Sequence, residues 1–200
     1  MMDFRKLLTR SRNLIVAPDN EFERIRLERQ SISLINKSYV IPVAIVIAGL
    51  SLIGTTLSNF STPINSFIYI FLDAIILFTI IFTHSYLSGN IIAMLGKNMA
   101  QKNEMHFFYA LSAYAQLPFF IALAIIKLFP SLAFIIIMGL YTGVLLSKGS
   151  GKLTRVPADK QLQFTLLSML IMISIFVITS ELFTMLYSEI LNLFTTFAAQ

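Results

Sequence analysis

The 200-residue sequence is 56% hydrophobic and only 12% charged, with a mean hydropathy of +0.79. Since soluble domains carry about 25% charged residues, this composition excludes an ordinary soluble protein. The net charge is +5, and the absence of cysteine excludes disulfides, cysteine-ligated zinc and a thiol nucleophile. The sequence therefore predicts an all-α, polytopic membrane protein whose length leaves no room for a second folded unit.

Residues 1–38 are predicted to form a basic arm on the cytoplasmic side of the membrane, with eight of the fifteen basic residues. Phe22, Ile25 and Ile32 fall at helical spacing, which predicts an amphipathic helix over 20–35. Its apolar stripe can enter the headgroup region while basic side chains meet anionic lipid. A solvated arm and a protein-binding helix are the alternatives. The predicted lipid-surface residues are Arg5, Lys6, Arg10, Arg12, Arg24, Arg26 and Arg29.

Five apolar segments approach the roughly 20 residues that a helix needs to cross a bilayer, and they predict a five-helix membrane domain over 39–180. The third and fourth segments form a hairpin that turns at Pro130. Residues 181–200 alternate polar and apolar side chains at helical spacing, which favours an external amphipathic tail over a sixth span. The predicted spans are 40–57, 67–88, 105–128, 131–147 and 162–180.

The distribution of basic residues predicts the orientation. With the N-terminus inside, fourteen of the fifteen lie in the arm, the 89–104 connection or the 148–160 loop, and only Lys127 lies outside. The positive-inside rule then predicts a cytoplasmic N-terminus and an external C-terminus. The same rule accounts for the net positive charge, so no nucleic-acid partner is predicted.

Several polar residues fall inside predicted spans. Asp73 lies some way inside the external boundary, where an ionised carboxylate needs a partner. Lys127, Ser51 and the backbone near Gly49 are the candidates. A hydrogen-bonded carboxylate that holds the spans together is favoured over a role in ion or solute passage. The third span carries a polar seam at spacings of three and four residues, formed by Tyr109, Ser112 and Gln116.

Histidines and small residues give weaker signals. His84 is predicted near the cytoplasmic boundary, where His106 and Glu104 also lie, but the three lack a metal-motif spacing, so no metal site is predicted. The Gly139 and Gly143 pair favours helix packing inside the chain over dimerisation of two chains. The residues predicted to shape or pack the helices are Gly49, Tyr114, Pro118, Pro130, Gly139 and Gly143.

An ordered set of motifs resembles the Yip family, the Ypt/Rab-interacting membrane proteins, from about Ala17 to Ser180. It comprises Ala113-Tyr114-Ala115-Gln116-Leu117-Pro118 within the run Ile91 to Pro118, Leu128-Phe129-Pro130, Gly139-Leu140-Tyr141, and Arg155-Val156-Pro157 to Lys160. The resemblance implies five spans and a cytoplasmic N-terminus. The acidic-leucine-tyrosine-glycine-proline motif of eukaryotic members is missing and the arm is short. These departures indicate a bacterial-type member, for which no Rab partner is predicted.

The sequence lacks Walker A, GxSxG and HExxH motifs, so no enzyme activity, catalytic residue or cofactor is predicted. The favoured function is a membrane-embedded interaction or organising module in a bacterial inner membrane. It is expected to bind anionic lipid and either partner membrane proteins or another copy of itself. The alternative is a small ion or solute transporter or channel component that uses Asp73 and the polar seam. Such a protein is expected to show discontinuous helices or an internal repeat, and the sequence shows neither.

Overall fold

The computed structural model describes residues 4–58, 66–99 and 104–198, and within these ranges the chain forms helices and no strand. Two short helices make the N-terminal arm, and the rest of the chain forms a bundle. The elements are α1 Phe4–Val16, α2 Pro18–Glu28, α3 Ile32–Ile35, a π-helix Asn36–Val40, α4 Ile41–Ser58, α5 Ser66–Met99, α6 Met105–Ala115, α7 Leu117–Leu128, a 3₁₀ helix Pro130–Leu140, α8 Tyr141–Lys152 and α9 Ala158–Ala198.

Five helical stretches of the described chain are long and apolar enough to cross a membrane, which confirms the predicted five-span architecture. We number them as spans 1 to 5 in chain order. They are Ile32–Leu57, Tyr69–Met99, Met105–Leu128, Pro130–Lys152 and Ala158–Ile190.

The arm does not contain the single helix predicted over 20–35. Helix α2 ends at Glu28, and Arg29 adopts a left-handed conformation with φ 45° and ψ 45°. Ser31 then begins a new helix by accepting a hydrogen bond from the amide of Leu34 at 3.3 Å, so Ile32 belongs to span 1. A left-handed residue followed by a serine cap is a common way for one helix to end and another to begin.

The apolar face of α2 packs on the bundle and not on lipid, so the prediction that this stripe enters the headgroup region is wrong. Phe22 and Ile25 are buried, at 0% and 2% exposure, and the Phe22 ring lies beside Gly149 of α8. Lys148 and Lys152 pair with Asp19 and Glu23 of the arm at 3.0 and 3.2 Å. These exposed pairs add little stability, so the buried aromatic contact is the main anchor of α2. We call this end of the bundle the arm end, and the opposite end the far end.

Span 2 is longer than predicted because α5 continues through the polar-looking segment after residue 88 to Met99. The rings of Tyr109 and Phe108 lie where side chains at Gly89 and Gly96 would project. Ile92 between these glycines is fully buried. Contact with span 3 therefore extends the helix beyond the segment that composition alone marks as apolar.

Span 3 occupies the centre of the bundle. It is interrupted at Gln116, between α6 and α7, and Pro118 occupies the first turn of α7, where a missing amide hydrogen costs least. Span 4 is peripheral: none of the residues of its 3₁₀ segment Pro130–Leu140, all described by the structure, is buried. In span 5, α9 passes Glu181 without a break, so the predicted tail continues the helix of the span.

Candidate functional site

Polar side chains of the membrane domain gather at three levels of the bundle. The first is the pair of Asp73 and Lys127 at the far end, the second surrounds Gln116 in the middle, and the third surrounds Arg10 at the arm end. We call them the Asp73 pair, the Gln116 cluster and the Arg10 cluster. Each joins elements that are distant in the sequence.

The Asp73 pair links spans 1, 2 and 3. The Ser51 hydroxyl donates to Asp73 Oδ2 at 2.8 Å, and Lys127 Nζ lies 3.4 Å from both carboxylate oxygens. Both partners were among the candidates considered from the sequence. The close approach of the helices depends on Gly54, because a Cβ there would overlap the backbone carbonyl of Lys127. The carboxylate is thus compensated by a cation and a hydroxyl, as a charge inside a membrane domain requires.

The Gln116 cluster is fully buried and contains no titratable group. Ser85 Oγ donates to Gln116 Oε1 at 3.1 Å, and Gln116 Nε2 donates to Ser88 Oγ at 2.8 Å and to Ser112 Oγ at 3.2 Å. The amide therefore has a partner for each of its two donors, and it holds span 2 against span 3. Buried amides and hydroxyls satisfied in this way act as helix-to-helix contacts and offer no acid or base.

Tyr109 does not join that cluster, although the sequence placed it in the same seam. Its hydroxyl donates to Asn36 Oδ1 at 2.6 Å, in the π-helix of span 1. The predicted seam is therefore two separate contacts, one with span 2 and one with span 1. Neither contact forms a continuous polar path along span 3.

The Arg10 cluster ties the arm to span 3. The guanidinium donates to the Tyr114 hydroxyl at 2.9 Å and to Glu21 Oε1 at 3.3 Å, and it also pairs with Glu28. Tyr114 in turn donates to Gln30 Oε1 at 3.2 Å. Arg10 was predicted to face lipid, and the structure corrects this: the residue faces protein.

Charge in the Arg10 cluster is well compensated. Burial alone would lower the pKa of Arg10, but Tyr114 and Glu28 raise it, and the net shift of the pKa is upward. The buried carboxylate of Glu21 accepts a second hydrogen bond from Asn13 at 3.0 Å. Arg10 therefore stays charged at any physiological pH, and the cluster acts as a permanent fastening of the arm. A pH switch is not built into it.

Helix α1 presents an outward face on which Arg5 and Arg12 were predicted to meet lipid, whereas its apolar residues Leu8 and Ile15 were not predicted to do so. Leu8 and Ile15 are 68% and 40% exposed, and Arg5 and Arg12 lie beside them at spacings of three and four residues, also exposed. We call these four residues the outer face of α1. The signal was present in the sequence, since the buried Leu7 and Leu14 of α1 repeat at helical spacing on the other side.

His84 lies deep in the bundle, in the middle of α5 and well before the end of that helix at Met99. It is 2% exposed, and the rings of Phe119, Phe120 and Phe176 surround it at 5.5 to 6.4 Å between centroids. His106 lies at the start of α6, nearer the arm end. Among the described residues, no group of three metal-ligating side chains comes together.

The glycines divide between contact and open space. Cβ atoms at Gly139 and Gly143 would meet Phe119 and the Met169 sulfur of the same chain, at 3.2 and 2.6 Å. The predicted packing role of Gly49 is wrong, because a Cβ there would meet no described heavy atom of another helix within 4 Å. Gly54, one and a half turns further along α4, has that role. Periodicity identified a small-residue helix but could not say which of its faces meets span 3.

A model of the Yip1 domain matches residues 12–180, from within α1 to span 5. This chain belongs to the Yip1 domain family. The match confirms the resemblance inferred from about 17–180. Comparison with curated proteins and with solved structures found no match to the chain.

Two residues that carried the resemblance in the sequence lie in the clusters nearer the arm end. Tyr114 belongs to the Arg10 cluster, and Gln116 is the centre of the Gln116 cluster. Val156 is 3% exposed, and its amide bonds the Ser150 carbonyl at 3.0 Å, which closes the loop after α8. The preceding Arg155 has a left-handed φ of 53°. Tyr114, Gln116 and Val156 therefore hold the arm, the middle of the bundle and the loop after α8 in place.

Proposed function

We propose that this Yip1 domain protein is a non-enzymatic organising module, embedded in a cell membrane with its N-terminus in the cytoplasm. It binds anionic lipid through the arm and a partner membrane protein, or a second copy, through the exposed side of span 4. A bacterial inner membrane is its expected location. The observation that carries the proposal is the arm itself, which is fastened to the bundle by the Arg10 cluster while the outer face of α1 is left exposed.

The outer face of α1 has the chemistry of a membrane-surface helix. Leu8 and Ile15 can enter the headgroup boundary, while Arg5 and Arg12 attract anionic lipid, each by up to about 1 kcal/mol. Tyr141 of span 4 donates a hydrogen bond to the carbonyl of Ile15 at 3.2 Å, which keeps the end of α1 beside a membrane-crossing helix. The prefolded arm thus holds this face near the bilayer without an ordering cost at each encounter.

Tryptophan fluorescence tests the lipid contact, because the native chain contains no tryptophan. The full-length Leu8→Trp variant is placed in nanodiscs of phosphatidylcholine with or without phosphatidylglycerol. We expect blue-shifted emission and quenching by brominated lipid in the anionic discs, both weakened by Arg5→Gln with Arg12→Gln and by added salt. Phe22→Trp, in the buried arm contact, is the control and should respond to neither lipid. Identical Leu8→Trp emission in both discs would contradict the lipid proposal.

The partner surface is assigned to span 4 because its 3₁₀ segment has no buried residue within the described chain. A photo-crosslinking amino acid at Ile137, which is 66% exposed, samples this surface in native membranes. We expect one or a few discrete protein adducts, identified by mass spectrometry. The same amino acid at the exposed Leu170 of span 5 controls for random encounters. Lipid adducts alone at position 137 would refute a protein partner there.

Thiol labelling tests the orientation in this cysteine-free chain. Asp159→Cys lies at an exposed position in the first turn of span 5, and Gln200→Cys marks the C-terminus. An impermeant reagent added to intact cells should label position 200 and not position 159. Labelling of position 159 in intact cells would reverse the orientation.

Span 3 is interrupted at Gln116, which is a feature expected of a transporter. The polar contacts nevertheless give the transport alternative less support. The Gln116 amide is occupied by three serines, and Asp73 is paired with Lys127 and Ser51. Asp73 and Ser85 are separated along α5 by roughly 18 Å of helix rise. A path for an ion would need polar groups in that interval that are free to exchange partners.

A further inference from the structure

A cavity of about 320 Å³ lies among spans 2, 3, 4 and 5. Its inner wall contains His84, Gln116 and Thr142, which are at most 6% exposed. Its rim contains Ile136, Leu140 and Ile173, and each of these residues is at least 43% exposed. The cavity therefore opens between spans 4 and 5 onto the surface that faces lipid.

Two of the buried side-chain atoms that have no hydrogen-bond partner in the described part of the chain, His84 Nδ1 and Thr142 Oγ1, belong to residues of the inner wall. Buried polar atoms are rarely left in this state, because each one costs about 1–3 kcal/mol. Gln116 differs, since its amide is already bonded to serines. The inner wall thus contains one imidazole and one hydroxyl that each have an unpartnered polar atom, beside a cavity that is open to the membrane.

The rest of the lining is apolar. Phe119 and Phe176 flank His84, and Met169 and Met172 add flexible side chains that adapt to the shape of a ligand. Among the described residues, none that lines the cavity is charged. A pocket of this size with few polar groups is typical of small-molecule sites, and it is too small for a helix about 10 Å wide.

We propose that this cavity binds the head of an uncharged membrane lipid that carries a hydroxyl or carbonyl oxygen. The oxygen bonds with the imidazole of His84 and the hydroxyl of Thr142, and the apolar chain leaves across Ile136 and Ile173 into the bilayer. A charged headgroup is disfavoured because nothing in the lining would compensate its charge. This site is separate from the arm, which meets headgroups at the membrane surface.

Gly139 keeps the cavity open. It lines the site, and even a Cβ there would come within 3.2 Å of Phe119. A larger side chain would fill the space that the lipid head occupies. Gly139→Leu is therefore a blocking variant that changes neither of the two hydrogen-bonding groups.

Photolabelling of the full-length protein in phosphatidylcholine nanodiscs tests the proposal. The probes are hexadecanol and a prenyl quinone, each with a diazirine on its chain, and palmitate with the same diazirine is the charged control. We expect at least one uncharged probe to label residues of the rim and inner wall, with unlabelled probe competing and palmitate labelling several-fold less. The probe that labels distinguishes a hydroxyl lipid from a carbonyl lipid.

Variants separate the site from general lipid contact. His84→Phe, Thr142→Val and Gly139→Leu should each lower labelling about fivefold to tenfold, the loss expected for one buried hydrogen bond or a filled pocket. His84→Asn keeps a polar group near Nδ1 and should retain most of the labelling. His106→Phe repeats the substitution outside the cavity and should have no effect.

If His84→Phe does not purify as a monodisperse protein, the Thr142→Val result decides. Unchanged labelling in Thr142→Val and Gly139→Leu, or equal labelling by palmitate, would overturn the proposal.

Discussion

Spans 3 and 4 are consecutive helices of one hairpin, nearly equal in length and hydropathy, yet they occupy opposite environments. They have 24 and 23 residues and mean hydropathies of 1.7 and 1.9. In the most apolar segment of each span, however, 67% of the residues are buried in span 3 and only 17% in span 4. Hydropathy therefore does not indicate which helix is the core. The distinguishing feature is the polar content: Tyr109, Ser112, Tyr114 and Gln116 of span 3 all hydrogen-bond to other side chains.

The physical reason is the solvent. In water, burial of an apolar face in the protein interior is favourable. In a bilayer, an apolar face is as stable against lipid as against protein, so burial against a hydrogen-bond partner stabilises polar groups most. Span 3 carries hydrogen-bonding groups toward three neighbours and is drawn into the centre. The 3₁₀ segment of span 4 carries almost no hydrogen-bonding side chains and remains at the periphery. That exposed surface is the one assigned above to a partner and to the mouth of the lipid cavity.

The largest expected effect comes from separating span 3 from span 1 at Gly54. Gly54→Val places a branched side chain against the backbone carbonyl of Lys127. This overlap should lower the free energy of unfolding by about 3 kcal/mol or more. Gly49→Val makes the same change on the same helix in open space. Thermal melting of the purified protein in detergent should fall strongly for Gly54→Val and little for Gly49→Val. Equal melting of the two variants would show that span 3 does not pack on α4 at this point.

A smaller effect is expected from the Gln116 cluster. Gln116→Leu conserves bulk but leaves the hydroxyls of Ser85, Ser88 and Ser112 without their amide partner, which should cost about 1–2 kcal/mol. On span 4, Ile137→Ala removes more atoms from an exposed site and should stay within about 0.5 kcal/mol. Unfolding by SDS titration measures both. If Ile137→Ala costs as much as Gln116→Leu, span 4 is not the peripheral helix.

The same contrast explains what the sequence could predict. Five long apolar segments indicate five spans whatever their neighbours, and Asp73 needs compensation wherever it lies in a membrane. The surroundings of the two faces of the arm are harder to predict. Phe22 and Ile25 are recognisable as an apolar stripe, but periodicity does not say whether the stripe meets lipid or protein. The stripe is buried beside Gly149, which is 127 residues away in the sequence.

Helix ends and glycine faces were missed for a related reason. The segment after residue 88 appears polar, yet α5 continues because the rings of Phe108 and Tyr109 lie against Gly96 and Gly89. The roles of Gly49 and Gly54 differ only in which one faces Lys127. Both facts depend on contacts between elements that are distant in the chain, and local composition does not encode them.

In the Asp73 pair, the carboxylate of Asp73 on span 2 contacts both Ser51 on span 1 and Lys127 on span 3. Asp73→Asn keeps an acceptor for Ser51 and loses the attraction of Lys127, so it should cost about 1 kcal/mol, because both charged side chains are about a third exposed. Asp73→Leu also leaves the Ser51 hydroxyl without its partner and should cost more, up to about 2 kcal/mol. Thermal melting in detergent orders the two variants.

Flux measurements on the same variants separate structure from transport. A proton- or cation-coupled flux in proteoliposomes that disappears in Asp73→Asn, with melting unchanged, would show that the titratable group is needed for passage. That result would favour the transport function over the organising module. Under the function proposed here, the native protein shows no such flux and the variants differ only in stability.

The smallest effects come from two tyrosines, one on each span of the hairpin, that reach the arm. Tyr114→Phe on span 3 removes the hydroxyl that accepts from Arg10 and donates to Gln30, whereas Tyr141→Phe on span 4 removes one exposed bond to the Ile15 carbonyl. Hydrogen exchange of the α1 amides should therefore accelerate about fivefold or more in Tyr114→Phe and less than about threefold in Tyr141→Phe, since a net hydrogen bond is worth about 1 kcal/mol and less when exposed. The exchange of α9 amides in the same samples is the control, because neither tyrosine contributes a hydrogen bond to that helix among the described contacts. If Tyr141→Phe opens α1 more than Tyr114→Phe does, the arm depends on the peripheral span, and the Arg10 cluster is not its main fastening.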